Sequence, residues 1–171
     1  MQLHASIATF ILLFTVLFPA HAGSFSAGIN INEDVSPEKT GMRVYPGAVP
    51  VTKTKGDTES ANIQFSFGDY GLKVVVAKLR SPDAPSLLAG FYRNELAQFG
   101  PVLDCGNADE VKAVRVKDKK LKALTCESDK PRKRGMQYKA GNRDDQHIVD
   151  IKPVGDGSEF SLVHVLLRSP E

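Results

Sequence analysis

Leu72-Lys73-Val74-Val75-Val76-Ala77-Lys78-Leu79-Arg80-Ser81-Pro82-Asp83-Ala84-Pro85-Ser86-Leu87-Leu88-Ala89-Gly90-Phe91-Tyr92-Arg93-Asn94-Glu95-Leu96 changes its period half-way along. Leu72 to Leu79 is rich in valine and reads as a well-buried strand. Ser81 and Asp83 are candidate helix caps, and Pro85 suits a first helical turn. Leu87, Leu88, Phe91, Tyr92 and Leu96 then fall on one side at three- and four-residue spacing. Phe99-Gly100-Pro101 supplies a glycine terminator and a proline that cannot continue the helix. A helix is therefore predicted over about 84–99. Its aromatic stripe reads as core rather than a ligand box, because an amphipathic helix must bury that face against something.

Working outward, Phe65 and Phe67 alternate with polar neighbours, as a half-buried strand does, and Gly68 to Gly71 reads as a tight turn into the valine-rich strand. Upstream, Tyr45-Pro46-Gly47-Ala48 predicts a type II turn: Pro46 presets one φ and Gly47 accepts the positive φ that follows. Lys53 to Ser60 is polar and reads as a loop. Residues 23–40 are small, polar and without a period, and read as a flexible leader, with order beginning near Gly41. Downstream of the helix, short strands are predicted at Val102–Cys105, Val111–Val116, Leu121–Cys126 and Arg134–Lys139. His147 to Ile151 alternates, with His147, Val149 and Ile151 on one face, and Phe160 to Leu167 is strongly strand-like. Gly155-Asp156-Gly157-Ser158 reads as the hairpin loop between them. Strands grouped around one helix predict an α+β fold: a mainly antiparallel sheet with a single helix on one face.

The chain opens with an apolar run, Ile7 to Phe18, followed by Ala20-His21-Ala22. The run is shorter than the roughly 20 residues needed to cross a bilayer. With small residues at −3 and −1 it reads as a secretory signal cleaved after Ala22, although no Lys or Arg precedes it. The alternatives are an uncleaved anchor or a buried helix. No cysteine lies near the cleavage site, which argues against a lipid-modified anchor. The expected organisation is a signal over 1–22, a leader over 23–40 and one domain over 41–171, secreted or periplasmic. Hydrophobic residues make up 42% and charged residues 25%, ordinary for a domain able to bury its own core. Cys105 and Cys126 are the only cysteines. In an exported chain they most simply form one disulfide, closing about 20 residues for roughly 3 kcal/mol. Free thiols, redox chemistry and metal binding are the alternatives.

Gly41-Met42-Arg43-Val44-Tyr45-Pro46-Gly47-Ala48, Phe65-Ser66-Phe67-Gly68 and the strand-helix segment ending Phe91-Tyr92-Arg93-Asn94-Glu95-Leu96 carry a resemblance. Over roughly residues 41–105 the chain resembles a group of small exported bacterial proteins sharing a Tyr-Pro-Gly-Ala turn followed by a strand-helix segment. The resemblance implies export and one compact domain. It implies no activity, cofactor or catalytic residue.

No G-x-S-x-G elbow, H-E-x-x-H helix or phosphate-cradling glycine loop is present. Outside the signal the histidines are His147 and His164. They could face one another if their strands pair, and such a pair could bind a metal or serve a small hydrolase-like enzyme. Two ligands without an identified carboxylate make a weak site, however, and two packed or half-exposed sheet histidines are the preferred reading. Asp144-Asp145 and Asp156 lack the ligand spacing of a calcium loop and read as solvated turn residues. No cofactor is indicated.

Charge placement is the anomaly. From Lys112 to Lys139 there are eleven basic residues against Asp118, Glu127 and Asp129, a local +8, so the rest of the chain carries −6 of the net +2. Lys117, Lys119, Lys120 and Lys122 form one cluster; Lys130, Arg132, Lys133 and Arg134 form another. These eight are the candidate anion-binding residues. Outside the cytoplasm their partner would be an anionic envelope component or an acidic protein surface. Nucleic acid is disfavoured by location and by the lack of interleaved aromatics. The leading expectation is a non-catalytic envelope binding module. A purely structural exported domain, with its basic loops only maintaining solubility, is the other alternative to the histidine enzyme.

Overall fold

The computed structural model describes residues 27–32, 36–52, 60–67, 69–107, 124–126 and 135–168. Its strands are β1 (Ala27–Asn32), β2 (Val49–Pro50), β3 (Ala61–Phe67), β4 (Tyr70–Ser81), β5 (Leu103–Asp104), β6 (Met136–Gly141), β7 (Asp145–Val154) and β8 (Gly157–Arg168), with one helix, α1 (Pro85–Leu96), between β4 and β5. Short 3-10 turns cover Pro37–Thr40 and Ala97–Phe99. All pairings are antiparallel, in the order β1-β3-β4-β8-β7-β6-β5, with β2 on one end of β4. This is the expected α+β architecture, a sheet with a single helix on one face.

β4 lies inside the sheet between β3 and β8 and reaches past its valine run at both ends. Val75, Ala77, Leu79 and Ser81 are buried toward α1 while Val74, Val76 and Lys78 are half-buried on the opposite face, the alternation of a strand covered more heavily on one side. The helix buries Leu88, Ala89, Tyr92, Glu95 and Leu96. These meet Ala77, Leu79, Tyr138, Val149, Ile151, Phe160 and Leu162 from the sheet and Met42 from the segment before β2. Leu87, expected in that stripe, is 58% exposed. It lies on the helix flank with Phe91, and only Phe91 is covered there, edge-on by Tyr45 and by the Arg43 guanidinium.

The turn at Tyr45-Pro46-Gly47-Ala48 has the expected form: the Ala48 N–H donates to the Tyr45 carbonyl at 3.0 Å and Gly47 has φ 77°. Ser81 and Asp83 do not cap α1, whose N-cap is Ala84 without a side-chain bond. Ser81 Oγ instead accepts the Asp83 N–H at 3.1 Å, and the Asp83 carboxylate accepts the Tyr45 hydroxyl at 2.7 Å, fastening the turn segment to the helix entry. Tyr92 OH accepts the Tyr45 N–H at 3.1 Å from within the core.

Regular structure starts before Gly41. Ala27–Asn32 is not an irregular leader but an edge strand in register with β3 from Ala27 opposite Phe67 to Asn32 opposite Asn62. Ile29 and Ile31 alternate with Asn30 and Asn32 along it, a short period-two pattern, and the backbone supplies the ladder hydrogen bonds. The β3–β4 turn is also tighter than expected, with Phe67 already opposite Tyr70. The β7–β8 loop shortens to Gly155-Asp156, Val154 pairing with Gly157. Gly155 has φ 58° and Asp156, like every described residue other than glycine, has no positive φ, the pattern of a II′ hairpin. The strand expected over Val102–Cys105 appears as β5, and that over Arg134–Lys139 begins two residues later as β6. Of the strand expected at Leu121–Cys126, residues 124–126 carry no regular structure and the rest lie outside the described residues, as does Val111–Val116. The signal expected over 1–22 lies outside them too. No helix among the described residues is long and apolar enough to cross a membrane.

Cys105 and Cys126 are joined in a disulfide, with Cα atoms 5.5 Å apart.

Candidate functional site

The II′ turn sets the register that builds the site. Counting back along β7 and forward along β8 places His147 directly opposite His164, and β4 places Val75 opposite His164 on its other side. Directly opposed side chains share a face and sit close together. The two imidazoles stack with centroids 4.4 Å apart and planes 14° apart. On its far side His147 stacks on Phe99, at 3.5 Å and 5°, where the 3-10 turn after α1 crosses the sheet. Gly41 closes the pocket: a Cβ there would lie 3.2 Å from His147 Nε2.

The carboxylate missing from the sequence pattern is Asp145, two residues before His147 and therefore on the same face. Its Oδ1 lies 2.8 Å from His164 Nε2 and 3.8 Å from His147 Nδ1. Asp145 is thus engaged with the histidines, which corrects its reading as a solvated turn residue. The β6–β7 turn seats it: Asn142 Oδ1 accepts the N–H groups of Asp144 and Asp145, at 2.8 and 3.0 Å, and the Asn142 N–H donates to the Asp145 carbonyl. His147 is 5% exposed, and its Nδ1 is buried without a hydrogen-bond partner. Burial pushes the His147 imidazole down to about 4, with the His164 charge adding and Asp145 opposing. His147 is therefore a neutral imidazole at pH 7.

Asp145, His147 and His164 bring one carboxylate oxygen and two imidazole nitrogens within 4.8 Å of one another. His164 Nε2–H donates to the Asp145 carboxylate, and all three side chains are of the types that ligate metals, with no nucleophile in the trio. Phe99 and Gly41 complete the surroundings, and no sequence pattern pointed to either. Asp145-x-His147, alternating on one strand, was the signal available for the carboxylate.

Beyond the reach of α1 the same sheet face is open. Two cross-strand rows run across it, Asp145–Leu166–Lys73–Gln64 and Arg168–Gly71–Ser66–Gly28. Gly71 and Gly28 leave space between the taller side chains, and a cleft of about 560 Å³ lies over Gln64, Ser66, Lys73, Leu166 and Arg168. Lys73 and Arg168 make no ion pair among the described residues.

The expected anion-binding residues Lys117, Lys119, Lys120, Lys122, Lys130, Arg132, Lys133 and Arg134 lie outside the described residues. Lys139, the last cation of the basic segment, is 1% exposed and contributes nothing to an open positive surface. Compared with known proteins, the chain matches no family model, no curated protein and no solved structure.

Proposed function

We propose that this chain is an exported, non-catalytic binding module of the cell envelope that takes an anionic ligand. The observation that carries the reading is the cleft on the open part of the helix-bearing face, where Lys73 and Arg168 stand beside Gly28, Gln64, Ser66 and Gly71 and the apolar Phe65, Leu72 and Leu166, with no carboxylate among the described lining residues. Two cations in a concave, half-screened groove attract anions more strongly than the same charges on a flat surface. The eleven basic residues from Lys112 to Lys139, all but Lys139 outside the described residues, add a sequence-level field of the same sign. The signal-like first 22 residues and the disulfide support an oxidising location, where the ligand would be an anionic envelope component or an acidic protein surface.

Binding to immobilised heparin and to lipopolysaccharide at low salt tests this. Lys73→Ala with Arg168→Ala is expected to weaken retention, and further replacement of Lys119, Lys120, Arg132, Lys133 and Arg134 by Ser to abolish it. Unchanged retention in both sets overturns the anionic reading.

A further inference from the structure

The buried nitrogen of His147 points to a second ligand of different chemistry. We propose that Asp145, His147 and His164 form a binding site for a divalent transition-metal ion, with zinc the best fit.

Three features support this independently of the anion cleft. The donor set is two imidazoles and one carboxylate, the N and O ligands that borderline cations such as zinc, nickel and copper prefer over calcium or magnesium. All three come from the paired strands β7 and β8, so the sheet's hydrogen bonds hold the frame before any ion arrives. Finally, His147 Nδ1 is enclosed without a partner and lies 3.8 Å from the Asp145 oxygen. A buried polar atom left unpaired costs stability, and a cation between it and Asp145 satisfies it.

The distances require only local adjustment. Donors around a tetrahedral zinc sit roughly 3.3–3.5 Å apart, from bond lengths of about 2.0–2.2 Å. The Asp145–His164 contact at 2.8 Å opens, the Asp145–His147 contact at 3.8 Å closes, and the His164 ring turns out of its stack about χ2, a soft torsion, while His147 keeps its place on Phe99. The Asp145 carboxylate is 47% exposed, so the ion enters from its side. Three protein ligands leave a fourth position for water or an anion.

The test is isothermal titration of tag-free, chelator-treated protein with zinc chloride, paired with cobalt(II) absorption, whose visible bands report tetrahedral nitrogen–oxygen coordination. Wild type is expected to bind one equivalent and to gain thermal stability as zinc is added. Asp145→Asn keeps the side-chain shape and His164→Asn replaces the ring by a smaller polar group; both are expected to lose binding by at least roughly 10–100-fold, the scale seen for loss of even an outer-sphere partner. His147→Phe continues the stack on Phe99 and is expected to fold and to bind no zinc; circular dichroism confirms the fold of each variant. No stoichiometric binding by wild type, or equal binding by folded Asp145→Asn and His164→Asn, overturns the proposal. The heparin result bears on the cleft alone, so the two readings fail separately.

Discussion

Glu95 shows how a single charged side chain is made to serve the core. Its side chain is 4% exposed on α1, yet it is fully engaged: Oε1 accepts the Arg43 N–H at 3.1 Å, Oε2 accepts Arg43 Nε at 2.8 Å, and Gln98 donates to Oε1 at 2.9 Å. Burial alone would push the carboxyl up, but the Arg43 and Gln98 hydrogen bonds outweigh it and hold the group below the usual carboxylate range. The group ties the segment after Gly41 to the helix, alongside the Tyr92 hydroxyl. Because the folded state favours the carboxylate, its contribution is complete above pH 4.5 and is lost as pH falls through the lower folded value. Urea midpoints at pH 7, 5, 4 and 3 are expected to fall on the acid side in wild type. Glu95→Gln should lower stability at pH 7 by about 1–3 kcal/mol and flatten that acid limb. A limb equally steep in the variant would show that other groups carry it.

At the level of elements, α1 is held by tertiary contacts more than by its own termini. Neither Ser81 nor Asp83 caps it, and Gly90 sits in its middle on the exposed side, with nothing within 4 Å of where a Cβ would stand. Glycine there costs conformational entropy and returns no packing. Gly90→Ala is therefore expected to stabilise the protein by about 0.5–1 kcal/mol, raising the calorimetric midpoint by roughly 1–4 °C. A fall in the midpoint would mean that this helix face is covered by something the described residues do not include. The β4–α1 pair was readable because period two gives way to period 3.6 within a few residues, and each pattern has one physical meaning. β1 was not, because its alternation, Ile29-Asn30-Ile31-Asn32, is only four residues long and is embedded in an otherwise small and polar stretch. The histidine pair shows the limit most clearly. A four-residue loop over 155–158 would set His147 opposite Leu166, whereas the two-residue II′ turn sets it opposite His164. That slip decides whether a site exists, and it depends on turn geometry that Gly-Asp-Gly-Ser alone does not determine. Phe99 and Gly41 reach His147 from other parts of the chain, which no local pattern encodes.

Across the whole molecule the two sheet faces have unequal roles. α1 closes one half of one face around Tyr92, Phe160 and Leu162, and leaves the other half, with the cleft over Lys73 and Arg168, uncovered among the described residues. The opposite face carries half-buried Ile63, Val74, Val76, Val163 and Val165, with Phe65 43% exposed. Such a sheet is anchored chiefly from the helix side, and the disulfide lies on that same side of the strand order, beyond β6. Cys105 follows β5, donates its N–H to the Gln137 carbonyl at 2.9 Å, and is bonded to Cys126 across 21 positions. β5 is only two residues long, so its pairing with β6 contributes few hydrogen bonds of its own. The disulfide restricts the unfolded chain over that loop, for about 3 kcal/mol in the chain-entropy account, and it also pins the edge of the sheet. Cys105→Ser with Cys126→Ser is therefore expected to lower the thermal midpoint by roughly 6–12 °C. The loss should be concentrated in hydrogen-exchange protection of β5 and β6, while β4 and β8 stay protected. Wild type treated with reductant should reproduce the variant, and intact mass before and after reduction and alkylation should report two newly alkylated cysteines. Uniform loss of protection would instead make the disulfide a global restraint on the unfolded chain. The difference between the two profiles measures how far the short β5 edge depends on its covalent tie.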